Sequence, residues 1–107
     1  MDAEEHDRIL ARTSHLPHFL AAAMTLVAAH DPGTLIGTGF RDTTRIAAGD
    51  AELWTDIALE NREAIVAAMN DCDRELRRFR SALQTNDRNS IHQWLQKAKQ
   101  RRDDLGN

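Results

Sequence analysis

The stretch NREAIVAAMNDCDRELRRFRSALQ, residues 61–84, decides the fold class. Its apolar residues Ile65, Met69, Cys72, Leu76, Phe79 and Leu83 alternate four and three apart, the heptad-like spacing that draws a narrow apolar seam along a helix. A strand would need period two, and no β-branched alternating run of strand length occurs in the chain. Thr85-Asn86-Asp87 breaks the seam and offers side chains that cap a helix N-terminus. Beyond the break, Ile91, Leu95 and Ala98 carry a shorter matching stripe on a last helix ending near Leu105. Two such helices joined by a few residues make an antiparallel hairpin.

Upstream, residues from about Ala3 to Ala29 read as one long helix, with Ile9, Thr13, Leu16, Leu20, Met24 and Val27 at three- and four-residue steps. Pro17 interrupts it. Proline lacks an N–H and crowds the carbonyl four residues back, so a kink is expected near Thr13 and Ser14. Asp31-Pro32-Gly33 closes the segment. After a turn at Gly37–Gly39, Arg41 to Ala48 suits a short helix, and Gly49-Asp50 reads as a stop and an N-cap for a segment beginning at Ala51. The fold class expected is all-α, with a kinked long first helix and a C-terminal helical hairpin.

A chain of 107 residues is one domain, small enough for a partner chain to supply much of the buried surface, so dimerisation is expected. The formal charge of −3 argues against a dedicated nucleic-acid binder. Nine basic residues against two acids between Arg74 and Arg102 make a basic helical surface, but no stacking aromatics are interleaved in a nucleic-acid motif, so a solvated face is the simpler account. RNA binding by this surface would show as steeply salt-dependent affinity. The lone Cys72 falls on the seam and reads as a small core hydrophobe in a reducing compartment. Met1 to Leu10 is acidic and polar, unlike a signal peptide, and no apolar run approaches membrane-spanning length. No membrane association is expected, and a cytoplasmic location is.

The densest chemistry lies in Gly37-Thr38-Gly39-Phe40-Arg41-Asp42-Thr43-Thr44-Arg45-Ile46-Ala47, with Trp54 a short step beyond. Glycines free to take positive φ would let backbone N–H groups approach an anionic ligand, and the guanidiniums could fork onto a carboxylate. A loop whose Asp42 and Arg45 merely pair with each other is the competing account. His15 and His18 stand three apart beside Pro17 and could contact an anionic ligand or satisfy carbonyls freed by the proline. A zinc site would need further ligands, which His6, His30 and His92 do not bring at ligand spacing, so no metal is expected. Trp54 serves as core or as a pocket wall whose indole N–H seeks a partner. Trp94 is expected to cover one side of the hairpin, and Glu60-Asn61-Arg62-Glu63 to mark a helix start. The chain has no Gly-x-Gly-x-x-Gly after a strand, no phosphate-cradling loop and no assembled nucleophilic triad, so no catalytic residue is assigned to it.

Ser14-His15-Leu16-Pro17-His18, then Gly39-Phe40-Arg41-Asp42-Thr43-Thr44-Arg45-Ile46-Ala47, then Leu53-Trp54 and Glu60-Asn61-Arg62, together resemble the C-terminal helical domain of the prephenate dehydrogenase family, arogenate-using relatives included. The resemblance runs from about Glu5 to Arg102. It implies the helical dimerisation domain of a 6-phosphogluconate-dehydrogenase-like enzyme, with residues 1–107 forming that second domain alone and its N-terminal nucleotide-binding domain absent from the chain. In the family that absent domain binds NAD or NADP and carries the catalytic histidine for oxidative decarboxylation of prephenate to 4-hydroxyphenylpyruvate in tyrosine biosynthesis. The isolated domain is therefore expected to be inactive.

The implied partners are a second copy of the chain, prephenate or arogenate as substrate, and tyrosine as a feedback inhibitor. By motif position, Arg45 resembles the arginine that grips a substrate carboxylate, and His18 the histidine that contacts substrate or tyrosine. Asp42 and Trp54 match further pocket residues, some reaching the site across the dimer interface, while His15 has a supporting role. Gly39 and Thr38 complete the implied substrate-binding set. Thr38 departs from the family pattern, which often has a run of glycines before the Phe, and its added side chain bears on any backbone contact there. The rival reading is a stand-alone helical interaction module without enzymatic role, its seam pairing with itself or a partner.

Overall fold

A computed structural model describes residues 1–29 and 36–106, and every regular element among them is helical. His30 and the expected closure at Asp31-Pro32-Gly33 lie outside the described residues. The chain divides into two compact units, Met1–Met69 and Asn70–Asn107.

In the first unit, α1 spans Ala3–Leu10. Asp2 caps it, its carboxylate accepting from the Glu5 N–H at 2.8 Å, while Glu4 and Glu5 place negative charge where the helix dipole favours it. The expected kink takes the form of a π turn over Ala11–His15, in which the Leu16 N–H donates to the Ala11 carbonyl five residues back. Pro17 explains it. Sitting in the first turn of α2, Leu16–Val27, the proline lacks an N–H and would crowd the carbonyl of Thr13, and the wider turn moves that carbonyl aside.

The π turn also corrects the expected apolar stripe. An inserted residue shifts the phase of every later helical position by about one residue. Ala11, His18 and Ala21 consequently face inward, whereas Thr13 is exposed and Met24 and Val27 are 39% and 81% exposed. The helix also ends at Val27 rather than Ala29.

Next come α3, Thr38–Thr44, a 3₁₀ turn over Arg45–Ala48, and α4, Ala51–Glu60. Two expectations meet the structure differently here. Asp50 caps α4 as expected, accepting from the Glu52 N–H at 3.1 Å. The turn at Gly37–Gly39, by contrast, is a helix start: Gly37 is the N-cap with φ −92°, Gly39 lies inside α3, and the one glycine at positive φ among the described residues is Gly106. The long helix α5, Arg62–Gln84, begins in this unit. Its Ile65 and Ala68 pack on Ala11, with Leu16, Phe19 and Ala64 around them. Alanines at the contact let the helices approach closely, so the core is narrow and turns on small side chains.

In the second unit, the rest of α5 and α6, Arg88–Asp104, form the expected hairpin. Asn86 adopts φ 54°, the Asn86 N–H donates to Leu83 O at 3.2 Å and the Asp87 N–H to Ala82 O at 2.9 Å. That double bond pattern is a Schellman stop, and asparagine is among the few non-glycine residues that accept its left-handed position. Phe79 and Trp94 pack with ring centroids 4.8 Å apart, and the Trp94 Nε1–H donates to Glu75 Oε1 at 3.0 Å, so Trp94 covers the hairpin as expected. Leu76, Leu83 and Leu95 stay about half exposed, a row of seam residues that this chain does not itself cover. Burial and the nearby carboxylates of Asp73 and Glu75 push the Cys72 thiol up, so it stays protonated at neutral pH.

Asp87 caps α6 through the Ser90 N–H at 3.0 Å and the Ser90 hydroxyl at 2.7 Å. These bonds, the hydroxyl's first, hold its carboxyl below the ordinary 3.8. A depressed folded-state value means stabilisation that is present above the unfolded value and lost as pH falls through the folded one. Asp87→Ala is accordingly expected to lower the melting temperature at pH 7, and the gap from wild type should narrow as the pH is taken below about 3.8. Thermal melts across that range check it, and a gap independent of pH would contradict the cap's role.

Candidate functional site

The π turn, the 3₁₀ turn and the start of α4 converge on one cleft of about 630 Å³, lined by Thr13, Ser14, Pro17, His18, Arg45, Ile46, Ala48, Gly49 and Trp54. Local backbone explains the convergence. The π turn reorients His15 and His18 relative to α1, the 3₁₀ turn brings Arg45 to the cleft, and the Asp50 cap sets the first turn of α4, which carries Trp54.

The wall of the cleft is aromatic. His18 and Trp54 stack with ring centroids 3.7 Å apart and planes 12° from parallel. Phe19 meets Trp54 edge-on at 6.0 Å and His15 does so at 6.2 Å. His18 is buried, at 6% exposure, yet no described side-chain nitrogen or oxygen is sealed away without a hydrogen-bond partner. Neither ring nitrogen of His18 is therefore sealed away unpaired, and the residue lines the cleft. Gly49 lies against the stack: a Cβ there would stand 3.0 Å from both His18 Cε1 and Trp54 Nε1. Its backbone is extended, at φ −64° and ψ 164°, so close approach and not an unusual φ is what calls for glycine.

Arg45 supplies the charge. It is exposed at the rim, and no hydrogen bond or ion pair ties it to any described residue. The competing account of the sequence, an Asp42–Arg45 pair, is therefore not formed. A cleft with one uncommitted guanidinium, a flat aromatic wall and the hydroxyl of Ser14 can hold a ring that bears a carboxylate.

Of the residues singled out from the sequence, His18, Arg45 and Trp54 come together in the cleft, and His15 stands behind Trp54. Asp42, Gly39 and Thr38 are exposed and do not line it. These three belong to α3, whereas Arg45 opens the 3₁₀ turn that lines the cleft. The glycines also differ from expectation, since a Cβ at Gly37 or Gly39 would meet nothing within 4 Å.

The histidines do not take up carbonyls freed by Pro17. Instead the Asn61 side chain donates to the Asp7 carbonyl at 2.8 Å and meets His15 Nδ1 at 3.2 Å. Among the described residues no group of three or more His, Cys, Asp and Glu could hold a metal ion. No described helix is long and apolar enough to cross a membrane.

Two residues escaped the sequence reading. Gly49 looked like a helix stop and nothing more, and Asn61 like a helix start. Only the partner across the fold gives either its second role, although Asn61 stood in the Glu60-Asn61-Arg62 part of the family resemblance.

Comparison with known proteins places the geometry. The family described as "Prephenate dehydrogenase, dimerization domain" matches residues 2–97. A cyclohexadienyl dehydrogenase of Zymomonas mobilis is 38% identical over 94 residues, covering 81% of this chain and 32% of its own. The prephenate dehydrogenase of Bacillus subtilis is 32% identical over 111 residues, covering 98% of this chain and 30% of its own. The chain spans about a third of the length of these relatives.

Among solved structures, the prephenate dehydrogenase of A. aeolicus, in complex with hydroxyphenyl propionate and NAD+, superposes with a TM-score of 0.87 at 30% identity, over 98% of this chain and 39% of that one. Synechocystis arogenate dehydrogenase gives 0.86 at 29%, over 94% and 39%. These likenesses do not favour a stand-alone interaction module. The expected all-helical domain, its motifs from Ser14 to Arg62 and the matched residues agree, and the chain belongs to the prephenate dehydrogenase dimerization-domain family.

Proposed function

We propose that this chain is the dimerising, substrate-holding part of a prephenate or arogenate dehydrogenase, and that its cleft binds the ring and a carboxylate of the substrate. The observation that carries the reading is Arg45, uncommitted within the described residues, beside the stacked His18–Trp54 wall in one cleft. Arg45 takes the carboxylate, and the aromatic wall packs on the ring. His18, which lines the cleft, hydrogen-bonds a polar substituent. Tyrosine carries the same ring and carboxylate and competes for the same place.

A second copy of the chain covers the half-exposed row of Leu76, Leu83 and Leu95. Exposed Asp42, Gly39 and Thr38 serve the substrate bound by the other copy. NAD or NADP belongs to the parent enzyme's other domain: the described residues have no strand followed by a Gly-rich turn to cradle a dinucleotide, so no residue here is assigned to it. Hydride chemistry is accordingly not routed through this chain, which acts by binding and orienting, in the cytoplasm.

Titration with hydroxyphenyl propionate tests the reading. In a Trp94→Phe background the remaining indole is Trp54, and its fluorescence is expected to change saturably with ligand. The same titration is run on the parent enzyme, where the second domain completes the pocket. Absence of any saturable change in both would overturn the assignment.

A further inference from the structure

Asn61 lies outside the cleft, at the junction of α4 and α5, and donates into the π turn that shapes the cleft. We propose that Asn61 is a positioning residue which holds His15 in its neutral, Nε2-protonated tautomer and through it sets the angle of Trp54 against His18. The chemistry of the amide fixes its orientation. The Asp7 carbonyl only accepts, so the group 2.8 Å from it is the NH₂ of Asn61 and not its oxygen. An NH₂ group only donates. His15 Nδ1, 3.2 Å from the same nitrogen, must therefore present a lone pair, which leaves the ring proton on Nε2.

Both bonds matter to the wall. The contact joins residues 46 apart in sequence and is partly buried, so water competes weakly for it. The His15 ring it fixes meets Trp54 edge-on, at 81°, and Trp54 also stacks on His18 and meets Phe19 edge-on. Turning His15 removes one of the two edge-on contacts on Trp54 and lets the indole tilt against His18. The Asp7 bond ties α1 to the same amide. Asn61 thus couples the backbone irregularity demanded by Pro17 to the ring geometry of the cleft.

The structural claim is independent of what the cleft binds, and only its consequence for ligand rests on the proposed function. Ring-nitrogen NMR of the unliganded 107-residue chain reads it directly. Wild type is expected to show His15 with a bare Nδ1 and a protonated Nε2. Asn61→Asp offers acceptors alone at nearly the same shape, so His15 should gain a proton on Nδ1 and Trp54 emission, read in the Trp94→Phe background, should shift. In the parent enzyme the same variant should weaken ligand about three- to tenfold, the worth of a hydrogen bond, with kcat changed less than KM.

A wild-type His15 protonated on Nδ1 would overturn the proposal even where the variant does not fold. So would an Asn61→Asp chain whose His15 tautomer and Trp54 emission match wild type. A wild type that shows the expected tautomer but binds no ligand would count against the proposed function and leave the role of Asn61 standing.

Discussion

Arg45→Ala is expected to raise the prephenate or arogenate KM of the parent enzyme by about ten- to a hundredfold, which is the loss of a charge-assisted bond of roughly 1.5–3 kcal/mol. The size follows from the absence of competitors. Neither Asp42 nor any other described carboxylate pairs with the guanidinium, so its hydrogen-bonding capacity is unspent before ligand arrives. For the same reason the substitution should leave the fold almost untouched, since an exposed, unpaired arginine contributes little to stability. Lysine would restore charge but not the planar fork, and a partial recovery of KM is expected. Steady-state kinetics with a parallel thermal melt separate the two effects. An unchanged KM would remove Arg45 from the site, and a large fall in melting temperature would make it structural instead.

Gly49 should give the second large effect, and it sets three glycines against one another. At Gly49 a methyl group would stand 3.0 Å from His18 Cε1 and Trp54 Nε1, closer than such contacts ordinarily run. The backbone there suits any residue, so the penalty falls on the two rings. Overpacking of this kind costs about 1–3 kcal/mol, and here it is relieved by tilting the stack that walls the cleft. Gly49→Ala is expected to weaken ligand by roughly tenfold and Gly49→Val by more, as the branched side chain adds bulk to the same contact. At Gly39, inside α3 with open space around it, alanine should stabilise the fold by about 0.5–1 kcal/mol. Gly37→Ala should be near neutral for packing. Trp54 emission and ligand titration report on the first, melting temperature on the others. A Gly49→Ala chain whose Trp54 emission matches wild type would contradict the close approach.

The fold was legible where periodicity and capping act locally. The seam from Ile65 to Leu83, the break at Thr85-Asn86-Asp87 and the Asp50 cap all have their expected form, because each depends on residues within a turn or two. The first helix was legible in extent and not in phase. Pro17 announced an irregularity, but not its form as a π turn, nor that Ala11 in that turn packs on Ile65 and Ala68, which are distant in sequence. Once the turn widened, Met24 and Val27 left the inward face and His18 and Ala21 took it.

The site divides in the same way. Arg45, His18 and Trp54 were legible as residue types with the right chemistry and by the family resemblance, which carried no distances. Asp42, Gly39 and Thr38 belong to the same motif, yet in a single chain they lie on α3, outside the cleft lining that the 3₁₀ turn supplies.

What the sequence determined by itself was therefore the helical class, the hairpin, the caps and the supply of one guanidinium, two histidines and an indole within reach of one another. Those depend on local hydrogen bonding and on side-chain chemistry, both written residue by residue. The tertiary structure alone decided that His18 stacks on Trp54, that Gly49 leaves room for the stack and that Asn61 holds His15 behind it. Each of these is a contact between segments whose spacing is set by backbone geometry, a turn widened for Pro17 above all. A one-residue change of helical phase redirects side chains by about 100°, which local sequence rules do not register and a ring stack at 3.7 Å does.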